Sequence, residues 1–200
     1  YCAIDSQRLI GVGQTAVNTP EEGIEDLKAI KALGLRGAML VNWPGVEDFD
    51  SPIYDKFWNA AVELELPLSF HILPGKGKSI EVPITRGPPL CANLWAIRGN
   101  QEIIAMMIYS GLFDRNPDLK IVCVEADAGW VPHFMYRMDH AYKRHRGWTK
   151  AADLQRLPSE YMREHIYLTF QDDLSAFHTI NLMNHERLMW ANDYPHSDAT

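Results

Sequence analysis

The sequence predicts an α/β protein built around a parallel sheet, and three observations carry that expectation. Short, β-rich apolar runs alternate with longer helical patterns along the 200 residues, which is the mark of repeated βα units. Two helical patterns open on capping residues and two close on glycine, so the alternation is punctuated as well as periodic. Apolar residues make up 46% of the chain, enough for one sizeable core, and neither a tandem repeat nor a linker divides it.

The units can be read in order. "RLIGVGQTAV" is a first strand. The helix after it, "NTPEEGIEDLKAIKALG", has Thr19 as N-cap, Pro20 at the first helical position, Glu22 completing a capping box and Gly34 as stop. "RGAMLVN" is the second strand, "SPIYDKFWNAAVELE" a helix capped by Ser51, and "LPLSFHI" the third strand. A loop rich in Gly and Pro follows, then a helix stopped at Gly111 and Pro117. "KIVCVEA" is a strand, "WVPHFMYRMDHAYKRH" a helix, and "HIYLTF" and "LMWAND" are strands with a helix over "DLSAFHTINLMNHE" between them. The reading is six strands and five helices.

Composition excludes several function classes. No apolar stretch approaches the roughly 18 residues of a membrane span, and the start, "YCAIDSQRLIG", shows no signal-peptide pattern. A net charge of −7 argues against nucleic acid, and the basic run Lys143 to Arg146 reads as a solvated face at a helix end. Cys2, Cys91 and Cys123 are odd in number and widely spaced, which fits a reducing, cytoplasmic compartment.

Six parallel strands fit an open doubly wound sheet or part of an eightfold barrel. A nucleotide-binding sheet calls for GxGxxG or a phosphate loop after an early strand, and "GVGQTAV" offers only a lone GxG. In a βα barrel the site gathers where the strands end. These strands end at Asn42, at His71, at Glu125 and Asp127, near Gln171, and at Asn192, Asp193 and His196. Singly, each is an ordinary cap or turn former; together, carboxylates and imidazoles recurring on one rim point to a converging site.

Three segments carry a family resemblance: "LPLSFHI", "SGLFDRNPDLKIVCVEADAGWVPHFMYRMDH" and "LMWANDYPH". In them the chain resembles the metal-dependent amidohydrolase-related family, which includes aminocarboxymuconate-semialdehyde decarboxylase and the aromatic acid decarboxylases. The resemblance covers nearly the whole chain and implies a distorted (β/α)8 TIM barrel, with these segments as its fifth, sixth and eighth strands. It implies that His71 and Asp193 are metal ligands, that Asp193 also acts as a base toward metal-bound water, and that His196 either supports a ligand or sits at the rim. Trp130 and Pro132 would shape the entrance to the following helix.

Two departures qualify the resemblance. Where the decarboxylases carry a proton-transferring histidine on the sixth strand this chain has Glu125, as a related branch of the family does; metal ligand, general base and structural carboxylate all remain open for it. The family's His-x-His pair on the first strand has no counterpart here, so the six strands match the third to the eighth. The expectation is a single barrel domain over residues 1–200, truncated at both ends, open at its edges, aggregation-prone and weak in metal binding by itself.

The function expected is that of a metal-dependent hydrolase acting on a small carboxylated or cyclic substrate through metal-activated water. Asp193 and Glu125 would be catalytic, and His71 and Asp193 would hold a divalent metal, Zn²⁺ first, with Mn²⁺ or Fe²⁺ as alternatives. Asn42, Trp43, Arg86 and His196 are the substrate-binding candidates, with Lys76 and Lys78 on the same loop as Arg86. Non-oxidative decarboxylation is the alternative chemistry, and a non-catalytic small-molecule-binding barrel the alternative class. Family precedent adds a homodimer as a possible assembly.

Overall fold

A computed structural model describes residues 1–40, 43–71, 87, 88, 91 and 97–196. Six strands pair in the order of the sequence, every neighbouring pair parallel: β1 (Gly13–Thr15), β2 (Ala38–Leu40), β3 (Leu68–His71), β4 (Ile121–Val124), β5 (Ile166–Phe170) and β6 (Leu188–Trp190). The α-helices that lie wholly among the described residues are α1 (Pro20–Ala32), α2 (Asp55–Glu63), α3 (Arg98–Tyr109), α4 (Leu112–Arg115), α5 (Val131–Thr149), α6 (Pro158–His165) and α7 (Leu174–Thr179). The expected α/β architecture and its parallel connectivity are present. Among the described residues β1 and β6 do not pair with each other, so this is an open, incomplete (β/α)8 arrangement.

Local signals account for most boundaries. The Thr19 hydroxyl accepts from the Glu22 N–H at 3.2 Å, Pro20 opens α1, and Gly34 follows in the left-handed conformation at φ 76°. Ser51 caps a short 3-10 turn over Pro52–Tyr54 before α2. Lys143 to Arg146 are all exposed on α5.

Three boundaries differ from the expectation. The first strand spans only Gly13–Thr15, because β2 offers three residues for it to pair with. Helix α6, absent from the sequence reading, is eight residues long. Its start is marked by Pro158 and by Glu160 accepting from the Leu157 N–H at 2.8 Å. The single helix expected over "DLSAFHTINLMNHE" breaks after Thr179 into 3-10 turns at Ile180–Leu182 and His185–Arg187. The Thr179 hydroxyl bonds the Ser175 carbonyl at 2.7 Å, and consecutive β-branched residues weaken the helix there.

Strand alternation divides the sheet into two faces. Leu68 and Phe70, Ile121 and Cys123, Ile166 and Leu168 are buried against the helices. The Cys123 thiol is pushed up to about 12 by that burial. The opposite face carries Met39, Val122, Tyr167 and Met189, all partly or fully exposed, with Ser69 buried among them. That face is the concave interior, left open in this arrangement. Between β2, β3 and α2 an aromatic cluster is buried, in which Phe49 lies 5.5 Å from each of Tyr54, Trp58 and Phe70 by ring centroid.

Trp58 is fully buried there, so Trp58→Ala is expected to cost about 3–5 kcal/mol, read by urea unfolding. His165 gives a second expectation. It is fully buried, its Nδ1–H donates to the Leu119 carbonyl at 2.9 Å, and it stacks on Phe113 at 4.4 Å. Burial holds its pKa below the ordinary imidazole value of 6.5. The unfolded chain therefore takes up the proton first, so this contribution is complete above pH 6.5 and declines as pH falls through the folded value. Unfolding free energy should fall on acidification from pH about 7 to 5, and His165→Gln should flatten that part of the slope.

Candidate metal-binding active site

Parallel pairing places the carboxyl ends of the strands on one rim, and the acidic and imidazole side chains gather there. His71 is the last residue of β3 and pairs with Val124 of β4, so both belong to the concave face. Glu125, one residue on, would point to the helix side if β4 continued. Instead its backbone turns left-handed at φ 58°, and its Oε2 lies 2.7 Å from His71 Nε2. The Glu125 N–H is held by Thr169 Oγ1 at 2.7 Å, on the inner face of β5.

The third contribution comes from the chain after β6. The Ala191 N–H still reaches the Phe170 carbonyl at 3.0 Å, and Asp193 then adopts φ 56°. Its Oδ2 lies 2.9 Å from His196 Nδ1. Glu125, Asp193 and His196 each present a ligand atom within 4.8 Å of the other two, and His71 joins this group through Glu125. Left-handed conformations at Glu125, Asp127 and Asp193 are uncommon for non-glycine residues, and about 1–3 kcal/mol of strain at each is a usual figure for such functional positions.

Donor chemistry provides a test of whether these residues suit a cation. Asp193 Oδ2 is buried and makes no hydrogen bond among the described residues; His196 Nδ1 is near it but not aligned to donate. Two carboxylates this close repel each other unless a proton or a cation lies between them. Two carboxylates and two imidazoles also form a donor set suited to a divalent ion of the first transition series. The residues present fit a metal.

Two supporting residues escaped the sequence reading. Thr169 was read only as part of a strand. Asp173 is buried and accepts four hydrogen bonds: Ala128 N–H and Gly129 N–H at 2.7 Å on Oδ2, and Ser175 Oγ–H at 2.9 Å and Ala176 N–H at 3.0 Å on Oδ1. Burial alone would raise its pKa, but these donors outweigh it and hold the carboxyl below the usual aspartate range. The available signal was an Asp immediately before a helical pattern, an ordinary N-cap. That its other oxygen reaches a distant loop is visible only in three dimensions.

The remaining candidates divide between placed and undescribed positions. Trp43 is half-buried on the loop after β2, on the same rim. Asn42, Arg86, Lys76 and Lys78 lie outside the described residues. Trp130 donates from Nε1 to the Ala126 carbonyl at 2.7 Å, and Pro132 stands in the first turn of α5, so both shape the entrance to that helix. No described helix is long and apolar enough to cross a membrane.

Comparison with known proteins gives this rim a family. The family model described as Amidohydrolase matches residues 1–200. Gamma-resorcylate decarboxylase from Rhodococcus jostii is 26% identical over 97% of this chain and 62% of its own length. The solved 5-carboxyvanillate decarboxylase from Sphingomonas paucimobilis superposes with a TM-score of 0.81 at 25% identity, over 97% of this chain and 58% of that one. A dihydroxybenzoic acid decarboxylase from a Polaromonas species, solved with bound manganese and the inhibitor 2-nitroresorcinol, superposes with a TM-score of 0.74 at 21% identity, over 100% of this chain and 62% of that one. The chain thus spans about three fifths of the length of the relatives it matches. With its parallel βα order and a family match over residues 1–200, the chain belongs to the amidohydrolase family.

Proposed function

We propose that the protein is a divalent-metal-dependent decarboxylase that removes CO₂ from a hydroxylated aromatic acid, and that its six strands are the third to eighth of an eight-stranded barrel. The observation that carries this reading is the cluster of His71, Glu125, Asp193 and His196 on the strand-end rim of a chain similar to aromatic acid decarboxylases. Those relatives favour decarboxylation over the hydrolysis that the sequence put first, and the manganese-bound relative favours Mn²⁺ over Zn²⁺.

In this reading His71, Glu125 and Asp193 hold the metal, with His196 steadying Asp193. A bound divalent ion would supply positive charge to orient the substrate's oxygen atoms and to stabilise charge in the transition state. Loss of CO₂ breaks the ring–carboxylate bond and leaves its electron pair on the ring carbon, which must take a proton. In this reading Asp193 delivers it, its Oδ2 being buried in the cluster and making no hydrogen bond among the described residues. The 2.7 Å approach of His71 Nε2 and Glu125 Oε2 brings two of these ligand atoms to one place.

One observation favours a second reading. Glu125 stands where the decarboxylases' sixth strand carries histidine, and a carboxylate there suits a base acting on water, as in hydrolysis. Isotopes separate the two. Decarboxylation in D₂O places deuterium on the ring, whereas hydrolysis in labelled water places heavy oxygen in the product.

Elemental analysis of the full-length protein should find about one divalent ion per chain, lost in His71→Ala. Metal-free, well-folded protein would remove this reading. With a panel of hydroxylated benzoates, Asp193→Asn should lower kcat by about 10²–10⁴-fold with CO₂ release as the readout. An Asp193→Asn enzyme of normal rate would leave the carboxylate with no part in proton transfer.

A further inference from the structure

The four hydrogen bonds on Asp173 join two segments more than 40 residues apart in sequence. Oδ1 caps α7 through Ser175 and Ala176, while Oδ2 takes the N–H groups of Ala128 and Gly129 in the loop between β4 and α5. That loop begins at Glu125, and Glu125 and Asp127 both hold left-handed backbone. The approach is as close as glycine allows. A Cβ on Gly129 would lie 2.6 Å from Ser175 Oγ and 2.8 Å from Asp173 Oδ1. An ordinary helix cap needs only the contacts to Ser175 and Ala176, so the second pair of bonds is in excess of that role.

We propose that Asp173 is a positioning residue for the active site: it clamps the loop after β4 so that Glu125 keeps its strained backbone and faces His71 and Asp193. The clamp has two ends. Thr169 Oγ1 holds the Glu125 N–H at the start of the loop, and Asp173 holds Ala128 and Gly129 three and four residues later. Between these anchors the loop is too short to relax, so the carboxylate of Glu125 is aimed by β5 and the α7 terminus together. Removing Asp173 leaves the buried Ala128 N–H and the half-buried Gly129 N–H without their acceptor and frees the loop at one end. Partners of this kind around a metal centre govern affinity by about 10–100-fold.

The inference rests on the metal-site reading above, and the test keeps the two apart. Mn²⁺ alone is titrated into full-length wild-type and Asp173→Ala protein by calorimetry. Amide hydrogen exchange is followed over residues 125–130 without metal. The expected result is a folded variant that binds Mn²⁺ about 10–100-fold more weakly and loses protection in that segment, while β4 and β5 keep theirs. A purely structural cap would lower the melting temperature and leave Mn²⁺ affinity unchanged, which would overturn the proposal. If wild type binds no Mn²⁺, the metal reading fails and exchange alone decides: selective loss at 125–130 supports the clamp, and uniform or absent loss overturns it. If Asp173→Ala does not fold, Asp173→Asn is read by the same two measurements. It keeps the shape but replaces one accepting oxygen with a donor, so unchanged protection and affinity would count against the clamp.

Discussion

Parallel pairing of six strands in sequence order is the constraint from which the rest of this molecule follows. Because every strand runs the same way, each carboxyl end falls on one rim and each helix returns the chain to the other. Alternation along the strands then assigns one face to the helices and the other to the interior. The helix side is closed by Phe49, Tyr54, Trp58, Phe70 and their neighbours, so the sheet has a rigid backing. Residues as distant in sequence as His71 and Asp193 reach one cluster because the pairing of β3, β4, β5 and β6 leaves the strand ends little choice.

The rim is also where the regular geometry is broken. Strand alternation by itself would send Glu125 to the buried face, where an unpaired carboxylate is costly. A left-handed residue at the end of β4 reverses that direction and brings the side chain to His71. The same device operates after β6 at Asp193. Such conformations persist only when their surroundings hold them, and here the holders are Thr169 and the Asp173 carboxylate, both on or just after β5. The strand between the two acidic strands thus supports the chain that follows one of them.

Electrostatics and fold depend on each other at this rim. Asp173 is kept ionised in a buried place because four donors converge on it, three from the backbone. His165 lies in the opposite situation, sealed behind the sheet and held neutral by burial, with Phe113 against its ring. One buried titratable group fastens a loop and the other fills a core. Their difference lies in the number and kind of hydrogen-bond partners each finds, since both are taken out of water.

Much of this was legible in the residues. The strands and most helices follow from apolar periodicity and caps such as Thr19 and Ser51, because those signals act over a few neighbouring residues. The rim could be anticipated from His71, Glu125 and Asp193 standing at strand ends. The break of the helix after Thr179 and the short helix α6 were not legible, since brief elements carry little periodicity. The partners within the cluster were not legible either. That Glu125 meets His71 and that Asp173 reaches back to Ala128 and Gly129 depend on contacts across 40 or more residues, and that His196 lies against Asp193, three residues away, depends on a left-handed turn. Local sequence determines which segments become strands and helices, because those energies are local. Only the tertiary structure decides which strand ends face one another, because that choice is made by the register of the sheet and the packing behind it.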